Sequence, residues 1–401
     1  MKLVFFSISI VATSAILLFS DSRLSAEEIK PDSAPKTQSA DDSALQPEST
    51  QKYEDLPSLI EMLKKDAAKG DAKAQADLGV KYLFGEGVPA DPKEALKLFH
   101  KSADQKNSSG QYWLGYVAYS GKGMEKDLPD AKKWFMKAAE GGSIGADYLL
   151  GMMYVKGEGV DKNYVEAAKH FKKSADQGNI PSFYQLGFLH YTGRAGEKNI
   201  KQALEYFVKA ADSGDAKSIY WAWYIYDKGE GVEKNADEAA KWLQRAEAND
   251  LTSYQIGQMI YAGEEVARDL PQAFKWFKKA ADAGFFVAQY KVGYMLCRGE
   301  GVTLNYEEAV KYLTKSAAQG DPNAQYYLGK CYFKGQGVKQ NFVEAYKWGV
   351  LSANQKDKLG LQLRDAVIKV MSEKQLTEGK KLVAEITTAA TAPKEGSEKT
   401  Q

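Results

Sequence analysis

Two Ser-x-x-Lys sequences near the N-terminus have the spacing at which a lysine activates a serine nucleophile for acyl transfer. They are Ser33–Lys36 and Ser49–Lys52. Such a serine needs a folded element that holds it against its base and donors that stabilise the oxyanion. Pro35 interrupts the first sequence, both lie in a polar stretch, and the chain has no Lys-Thr-Gly element to accompany them. We therefore expect no catalytic residue here.

Gly-x-Gly sequences, which cradle phosphate groups in some enzymes, also recur along the chain. A phosphate-binding loop of this type follows a β-strand and opens a helix. Here the sequences, such as Gly229–Gly231, follow helical patterns and recur in most units of the repeat described below. We interpret them as turns.

Residue types that bind metals are few. The chain has two Cys and three His, and His100, His170 and His190 fall in different units at different positions. A closed zinc site takes four such ligands and an iron–sulfur cluster takes four cysteines. The sequence therefore predicts no metal, no cofactor and no disulfide framework.

Composition narrows the class of protein further. The 401 residues include 54 Lys+Arg and 53 Asp+Glu, a formal net charge of +1, and 44% are hydrophobic. Non-specific nucleic-acid binding needs an excess of positive charge, so we expect no nucleic-acid partner. The hydrophobic share is sufficient for a packed core.

The first 26 residues have the order of a secretory signal peptide: Lys2, the apolar run Leu3–Phe19, then small and polar residues. The run is shorter than the about 20 apolar residues of a spanning helix. We expect an exported protein, periplasmic or secreted, and an uncleaved N-terminal anchor is the alternative. Residues 27–52, a linker, and 391–401, a tail, are polar and predicted to be disordered.

A pattern of Gly and Ala recurs about every 36 residues over 72–356. Its landmark is Gly79, Gly115, Gly151, Gly187, Trp223, Gly257, Gly293 and Gly329. A second Gly lies six residues after each landmark and an Ala ten residues after that Gly. A period of this length without a strand pattern predicts eight stacked helical hairpins.

Each unit is predicted to consist of a helix A, a short turn and a helix B. In the third unit Tyr148, Gly151 and Tyr154 recur at spacing three, as on one side of a helix. Helical patterns outside the repeats predict an N-terminal capping helix over 53–71 and C-terminal capping helices over 357–390. The fold class is therefore all-α.

The units resemble the Sel-1-like repeat family of the tetratricopeptide superfamily. The resemblance is visible in LGVKYLFGEGVPADPKEALKLFHKSADQ from Leu78 and in LGMMYVKGEGVDKNYVEAAKHFKKSADQG from Leu150. It implies a right-handed α/α solenoid, a superhelix that exposes helix A on its concave side. Trp223 and the turn residues Glu264–Glu265 depart from the pattern, so we expect altered stacking at units five and six.

Two positions of helix A vary between units and carry many aromatic residues, namely those two before and one after the landmark. Tyr fills the position three before the landmark in seven of eight units, which indicates packing. The variable positions are predicted to bind a partner on the concave face. The candidates are Trp113, Tyr116, Met152, Phe188, Trp221, Tyr224, Tyr294 and Tyr327. The alternative is that these rings pack between neighbouring units.

The two cysteines, Cys297 and Cys331, fall in helix A of the seventh and eighth units. Their helical phases differ by nearly half a turn, so they either face one another or point apart. The sequence leaves open a disulfide between them or two free thiols.

Taken together, these features predict a non-enzymatic interaction scaffold of the cell envelope or medium, a monomer that binds a protein or an extended peptide. Two alternatives stay open. One is a protein that binds peptidoglycan or another cell-wall glycan. The other is an envelope enzyme or inhibitor related to family members that bind β-lactams, although those members carry paired cysteines in each repeat and this chain does not.

Overall fold

The computed structural model describes residues 56–263 and 265–391. The predicted signal peptide and linker, and all but the first residue of the predicted tail, lie outside these residues. Within them the chain forms nineteen α-helices and no strand, which confirms the all-α solenoid.

The helices follow one another as antiparallel hairpins joined by short turns. They are α1 (Leu56–Ala68), α2 (Ala72–Phe84), α3 (Pro92–Asp104), α4 (Ser108–Ser120), α5 (Leu128–Glu140), α6 (Ile144–Lys156), α7 (Tyr164–Asp176), α8 (Ile180–Thr192), α9 (Ile200–Asp212), α10 (Ala216–Lys228), α11 (Ala236–Glu247), α12 (Asp250–Ala262), α13 (Leu270–Asp282), α14 (Phe286–Arg298), α15 (Tyr306–Ala318), α16 (Pro322–Lys334), α17 (Phe342–Asn354), α18 (Lys358–Ile368) and α19 (Glu373–Thr391). Repeats one to eight each pair an even-numbered helix A with the helix B that follows it, from α2 and α3 to α16 and α17. Helix α1 precedes them, and α18 and α19 follow.

Within a repeat, the landmark glycine of helix A lies against an aromatic ring of helix B. A Cβ added at Gly151 would lie 2.5 Å from the ring of Phe171, which is fully buried. The same pairing joins Gly79 to Phe99, Gly115 to Phe135, Gly187 to Phe207 and Gly257 to Phe277. Because the glycine has no side chain, the ring approaches the backbone of helix A and the two helices pack closely.

Both glycines of the Gly-x-Gly turn have structural roles. The first ends helix A in the left-handed conformation, with φ of 73° at Gly157, a region that costs little only without a Cβ. The second packs on the preceding repeat, since a Cβ at Gly159 would lie 2.9 Å from the carbonyl carbon of Leu128. These sequences are therefore turns that stack one hairpin on the next.

The residue between the two turn glycines ties neighbouring repeats together in three places. The hydroxyl of Tyr191 donates to the carboxylate of Glu230 at 2.8 Å, and Tyr261 donates to Glu300 at 2.7 Å. Tyr119 makes the same bond with Glu158. Each tyrosine lies four residues after its landmark. A Tyr at that position, followed by a Glu between the two glycines of the next repeat's turn, therefore marks a hydrogen bond between the two repeats.

Repeat six departs from this scheme at Glu265, which stands where six of the eight turns have their second glycine. Its carboxylate instead accepts hydrogen bonds from the hydroxyl of Tyr184, in repeat four, and from Nζ of Lys217, in repeat five, the latter at 3.0 Å. This turn therefore contacts two earlier repeats, where the sequence predicted altered stacking.

Asp321 is the N-cap residue of helix A in repeat eight, and its carboxylate is buried. It accepts a hydrogen bond from the backbone N–H of Ala324 at 2.7 Å and is only 5% exposed. Burial raises the pKa of Asp321 from 3.8 to about 6, against the hydrogen bonds that it accepts, and the carboxylate of Asp357 adds to the rise. The folded chain therefore binds this proton more tightly than the unfolded chain, so the contribution of Asp321 to stability falls as pH rises between about 4 and 6.

Gly151→Ala should lower the free energy of unfolding by about 1–3 kcal/mol, because the new methyl group overlaps the ring of Phe171. An exposed helical Gly→Ala change would have the opposite sign. Urea unfolding followed by circular dichroism measures the effect. The control is Gly151→Ala/Phe171→Leu, which introduces the leucine that repeat seven has opposite its landmark glycine, at Leu313. The double variant should lose less than the sum of the two single variants, and strict additivity would contradict the pairing.

Asp321→Asn should raise the free energy of unfolding at pH 7 by about 1–2 kcal/mol, because asparagine caps a helix without a buried charge. Asn107 and Asn179 occupy the same capping place in repeats two and four. Urea unfolding at pH 7 and near pH 4 tests the sign, since the gain should shrink at the lower pH. An equal gain at both values would show that the charge of Asp321 is not its cause.

Candidate partner-binding surface

Four positions of helix A lie on the side that faces away from helix B. They are the residues six and two before, and one and five after, the landmark, and we call them the helix-A face. At 100° per residue they form one stripe, roughly opposite the glycine that contacts helix B. Side chains there do not pack between the two helices of their own hairpin, so each contacts a neighbouring repeat or solvent.

Two of the predicted partner-binding residues are core residues, which corrects the sequence-based expectation. Trp113 is 9% exposed and Trp221 is 3% exposed. The ring of Trp221 stacks on Phe207 at 5.7 Å and lies 4.4 Å from that of Tyr191. The alternative reading, packing between units, is therefore the right one for both tryptophans.

The cause of this burial is the preceding repeat. The ring one residue after the landmark in one repeat contacts the ring two before it in the next, with centroids 6.3 Å apart for Phe188 and Trp221. Tyr294 and Tyr327 meet in the same way at 5.4 Å. The first pair buries Trp221 and leaves Phe188 half-exposed, whereas both rings of the second pair stay half-exposed.

The remaining predicted residues are half-buried and retain an accessible edge. They are Tyr116, Met152, Phe188, Tyr224, Tyr294 and Tyr327. The structure gathers the rings into three clusters: Tyr116 with Trp113 in repeat two, Phe188 and Tyr224 with Trp221 in repeats four and five, and Tyr294 with Tyr327 in repeats seven and eight. Met152 joins none of these clusters.

Two lysines on the same face were not among the predicted site residues. Nζ of Lys291 lies 3.6 Å from the ring centroid of Tyr261 and 5.4 Å from that of Tyr294. Burial lowers the pKa of the Lys291 ammonium to about 8. Nζ of Lys330 lies 5.6 Å from the ring centroid of Tyr327. Both lysines stand at the variable positions of helix A, so the sequence could have identified them as candidates. It did not show that aromatic rings surround them.

The two cysteines face one another as free thiols. Cys331 is buried and Cys297 is half-buried. Their hydrogen bond, followed by burial, raises the pKa of the Cys331 thiol. Of the alternatives left open by the sequence, the structure shows unbonded neighbours rather than a disulfide.

The histidines occupy three separate packing sites. Nδ1 of His170 lies 2.8 Å from a carboxylate oxygen of buried Asp147, which joins α7 to α6. His100 packs edge-on to Trp134, and His190 stacks on Tyr206. Across residues 56–263 and 265–391, no three metal-binding side chains come together. None of the helices in these ranges combines the length and apolarity that a membrane span requires.

Comparison with known proteins identifies the repeat. The family model described as Sel1 repeat matches residues 72–107, 108–143, 145–179, 184–215, 219–251, 253–285, 287–321 and 322–357. Among solved structures, the chain is similar to a protective antigen present in uropathogenic Escherichia coli strains that displays an SLR fold. Their identity is 28%, over 85% of this chain and 84% of that chain, with a TM-score of 0.36. It is also similar to a Sel1 repeat protein from Oxalobacter formigenes, at 25% identity over 85% of this chain and 98% of that chain, with a TM-score of 0.46. No curated protein matches the chain.

Trp221→Ala should lower the free energy of unfolding by about 3–5 kcal/mol, because it empties a buried site between repeats four and five. Tyr224→Ala, one turn along the same face, should cost about 1 kcal/mol or less, because that ring is half-exposed. Urea unfolding of the two variants gives the comparison. If Tyr224→Ala proved the more damaging change, the burial of these two positions would be misassigned.

Proposed function

Because the chain belongs to the Sel1-repeat family, whose members generally mediate protein–protein interactions, we propose that it is a non-enzymatic scaffold that binds a protein or an extended peptide on its helix-A face. The family scaffold is typically non-catalytic. The described residues supply hairpins that stack by side-chain packing. The residue types on the helix-A face differ from repeat to repeat, and these differences would determine which partner binds.

The observation that carries this proposal is the set of half-exposed rings on that face. Tyr116, Phe188, Tyr224, Tyr294 and Tyr327 each present an edge beside a ring that fixes their position. Rigid aromatic side chains lose little conformational entropy on binding and are enriched among the residues that dominate interface energies. Such rings, spaced along successive repeats, suit a partner that lies across several of them.

We place this activity outside the cytoplasm, as a monomer in the periplasm or the medium. The support is the sequence of residues 1–26, whose charged, apolar and small residues follow the order of an export signal. An uncleaved anchor would keep the same domain at the membrane surface.

Photo-crosslinking from opposite sides of the hairpins tests the proposal. p-Benzoylphenylalanine replaces Tyr224 or Tyr294 on the helix-A face. The matched controls carry it at Met136 or Val165, which are 44% and 51% exposed on helix B. In the source cells, protein adducts should form from the helix-A face and not from the controls. Untagged protein should compete for them, and Tyr224→Ala/Tyr294→Ala protein should compete about tenfold less well.

Equal adducts from both sides would contradict a specific helix-A site. Adducts that carry only cell-wall glycan would favour the second candidate, a glycan-binding protein, since exposed tyrosine rings also stack on sugars. Retention on purified peptidoglycan, compared between the native protein and Tyr224→Ala/Tyr294→Ala, separates these two outcomes.

A further inference from the structure

The helix-A face is strongly basic although the chain as a whole is nearly neutral. The net charge of the whole sequence is +1. The acidic residue on the face is Asp77 alone. The basic residues on the face are Lys73, Lys156, Lys217, Lys228, Lys291, Arg298, Lys330 and Lys334. Positive charge has therefore been collected on the surface proposed to bind a partner, and such a stripe attracts anionic groups.

Carboxylates of the chain itself neutralise part of this stripe. Lys217 pairs with Glu265 at 3.0 Å and Lys228 with Asp227 at 2.9 Å. Arg298 pairs with Glu300 at 2.5 Å. Glu265 is instructive, because its carboxylate accepts from a tyrosine hydroxyl and a lysine ammonium. A lysine of the face, Lys217, can thus share a carboxylate with the buried Tyr184 beside it.

Apart from Arg298, the basic side chains of the face in repeats seven and eight are different. Among the described residues, no carboxylate forms an ion pair with Lys291, Lys330 or Lys334. The ammonium of Lys291 lies among rings, 3.6 Å from the centroid of Tyr261 and 5.8 Å from that of Phe277. Ring faces offset part of the cost of burying the charge, but they leave N–H donors that a carboxylate would satisfy.

Aromatic contacts join these lysines into one patch, which we call the repeat seven–eight patch. It consists of Lys291, Tyr294, Tyr327 and Lys330. The rings of Tyr294 and Tyr327 are in edge contact at 5.4 Å, and Nζ of Lys291 and of Lys330 lie 5.4 Å and 5.6 Å from the centroids of Tyr294 and Tyr327 respectively. Half-exposed apolar surface therefore lies beside two ammonium groups that form no ion pair among the described residues, although the charge of Glu300 also acts on Lys291.

We propose that the repeat seven–eight patch binds an acidic peptide segment of the partner, with one carboxylate paired to Lys291, another paired to Lys330, and an apolar side chain between them against Tyr294 and Tyr327. This inference rests on the proposed function and names the chemistry of the segment that the helix-A face selects. A nucleic acid fits the face less well. It carries a charge at every residue, whereas uncharged rings and polar residues separate the cations of this face.

Selection from a display library of random peptides of about 12 residues tests the inference, with the full chain as bait. The diagnostic variant is Lys291→Gln/Lys330→Gln. Glutamine fills the same two positions in repeat six, as Gln255 and Gln258, so the hairpin accepts it. The matched control is Lys275→Gln/Lys311→Gln, which removes the same charge from exposed positions of helix B.

Peptides selected on the native protein should be enriched in Asp and Glu over the starting library. Their affinity should fall about tenfold or more in the diagnostic variant and stay unchanged in the control. Thermal unfolding of both variants confirms that each is folded. A synthetic peptide of residues 27–52 is measured alongside, because that segment of the chain is itself acidic.

Each other outcome overturns a different part of the proposal. Selected peptides without acidic enrichment, or equally weakened in both variants, would refute the acidic ligand and leave the scaffold function standing. Binding of the 27–52 peptide without selection of foreign acidic peptides would assign the patch to the chain's own N-terminal segment and refute a partner there. Failure to select any peptide would refute the inference and would count against peptide binding by the helix-A face altogether.

Discussion

The close contact between a glycine of helix A and a ring of helix B is the constraint on which the rest of this structure depends. Because Gly151 has no side chain, Phe171 approaches the backbone of helix A and is fully buried there. That contact fixes the rotation of helix A about its own axis. The stripe opposite the glycine must then face away from helix B, so the packing of the hairpin decides which side chains stand on the helix-A face.

Repeats that break the constraint show how the array adjusts. In repeat five Trp223 replaces the glycine, and Leu243 stands where repeats one to four and six have phenylalanine, so bulk moves from helix B to helix A. The ring of Trp223 then contacts Trp276 of the next repeat at 6.3 Å. In repeat eight the ring itself is missing, because Gly349 takes its place, and Leu363 of α18 fills the space beside Gly329. In both repeats a side chain from the neighbouring repeat or capping helix fills the space in the core, as close packing requires.

How far the sequence predicts this protein depends on whether a feature is local to one repeat. The hairpins, their turns and the face of helix A follow from Gly and Ala positions that recur in nearly every unit, so the period of about 36 was sufficient. The burial of Trp113 and Trp221 was not predictable in that way, because rings of the neighbouring repeat cover them. The aromatic rings around the Lys291 ammonium and the contact between the thiols of Cys297 and Cys331 likewise depend on how one helix A lies beside the next.

This division between local and neighbour-dependent features also separates stability from recognition on the helix-A face. A tryptophan two residues before the landmark is buried between repeats, as at Trp113 and Trp221, so its loss opens the core, whereas Tyr327 at the same position stays half-exposed. The residue one after the landmark has a half-exposed side chain in every repeat, and from repeat two onward Tyr116, Met152, Phe188, Tyr224, Gln258, Tyr294 and Lys330 follow one another there. An array can change that series without changing the glycine–phenylalanine contacts beneath it. Adding or removing a lysine on such a face should change stability little, because the lysine stem packs on neighbouring rings while its ammonium stays accessible.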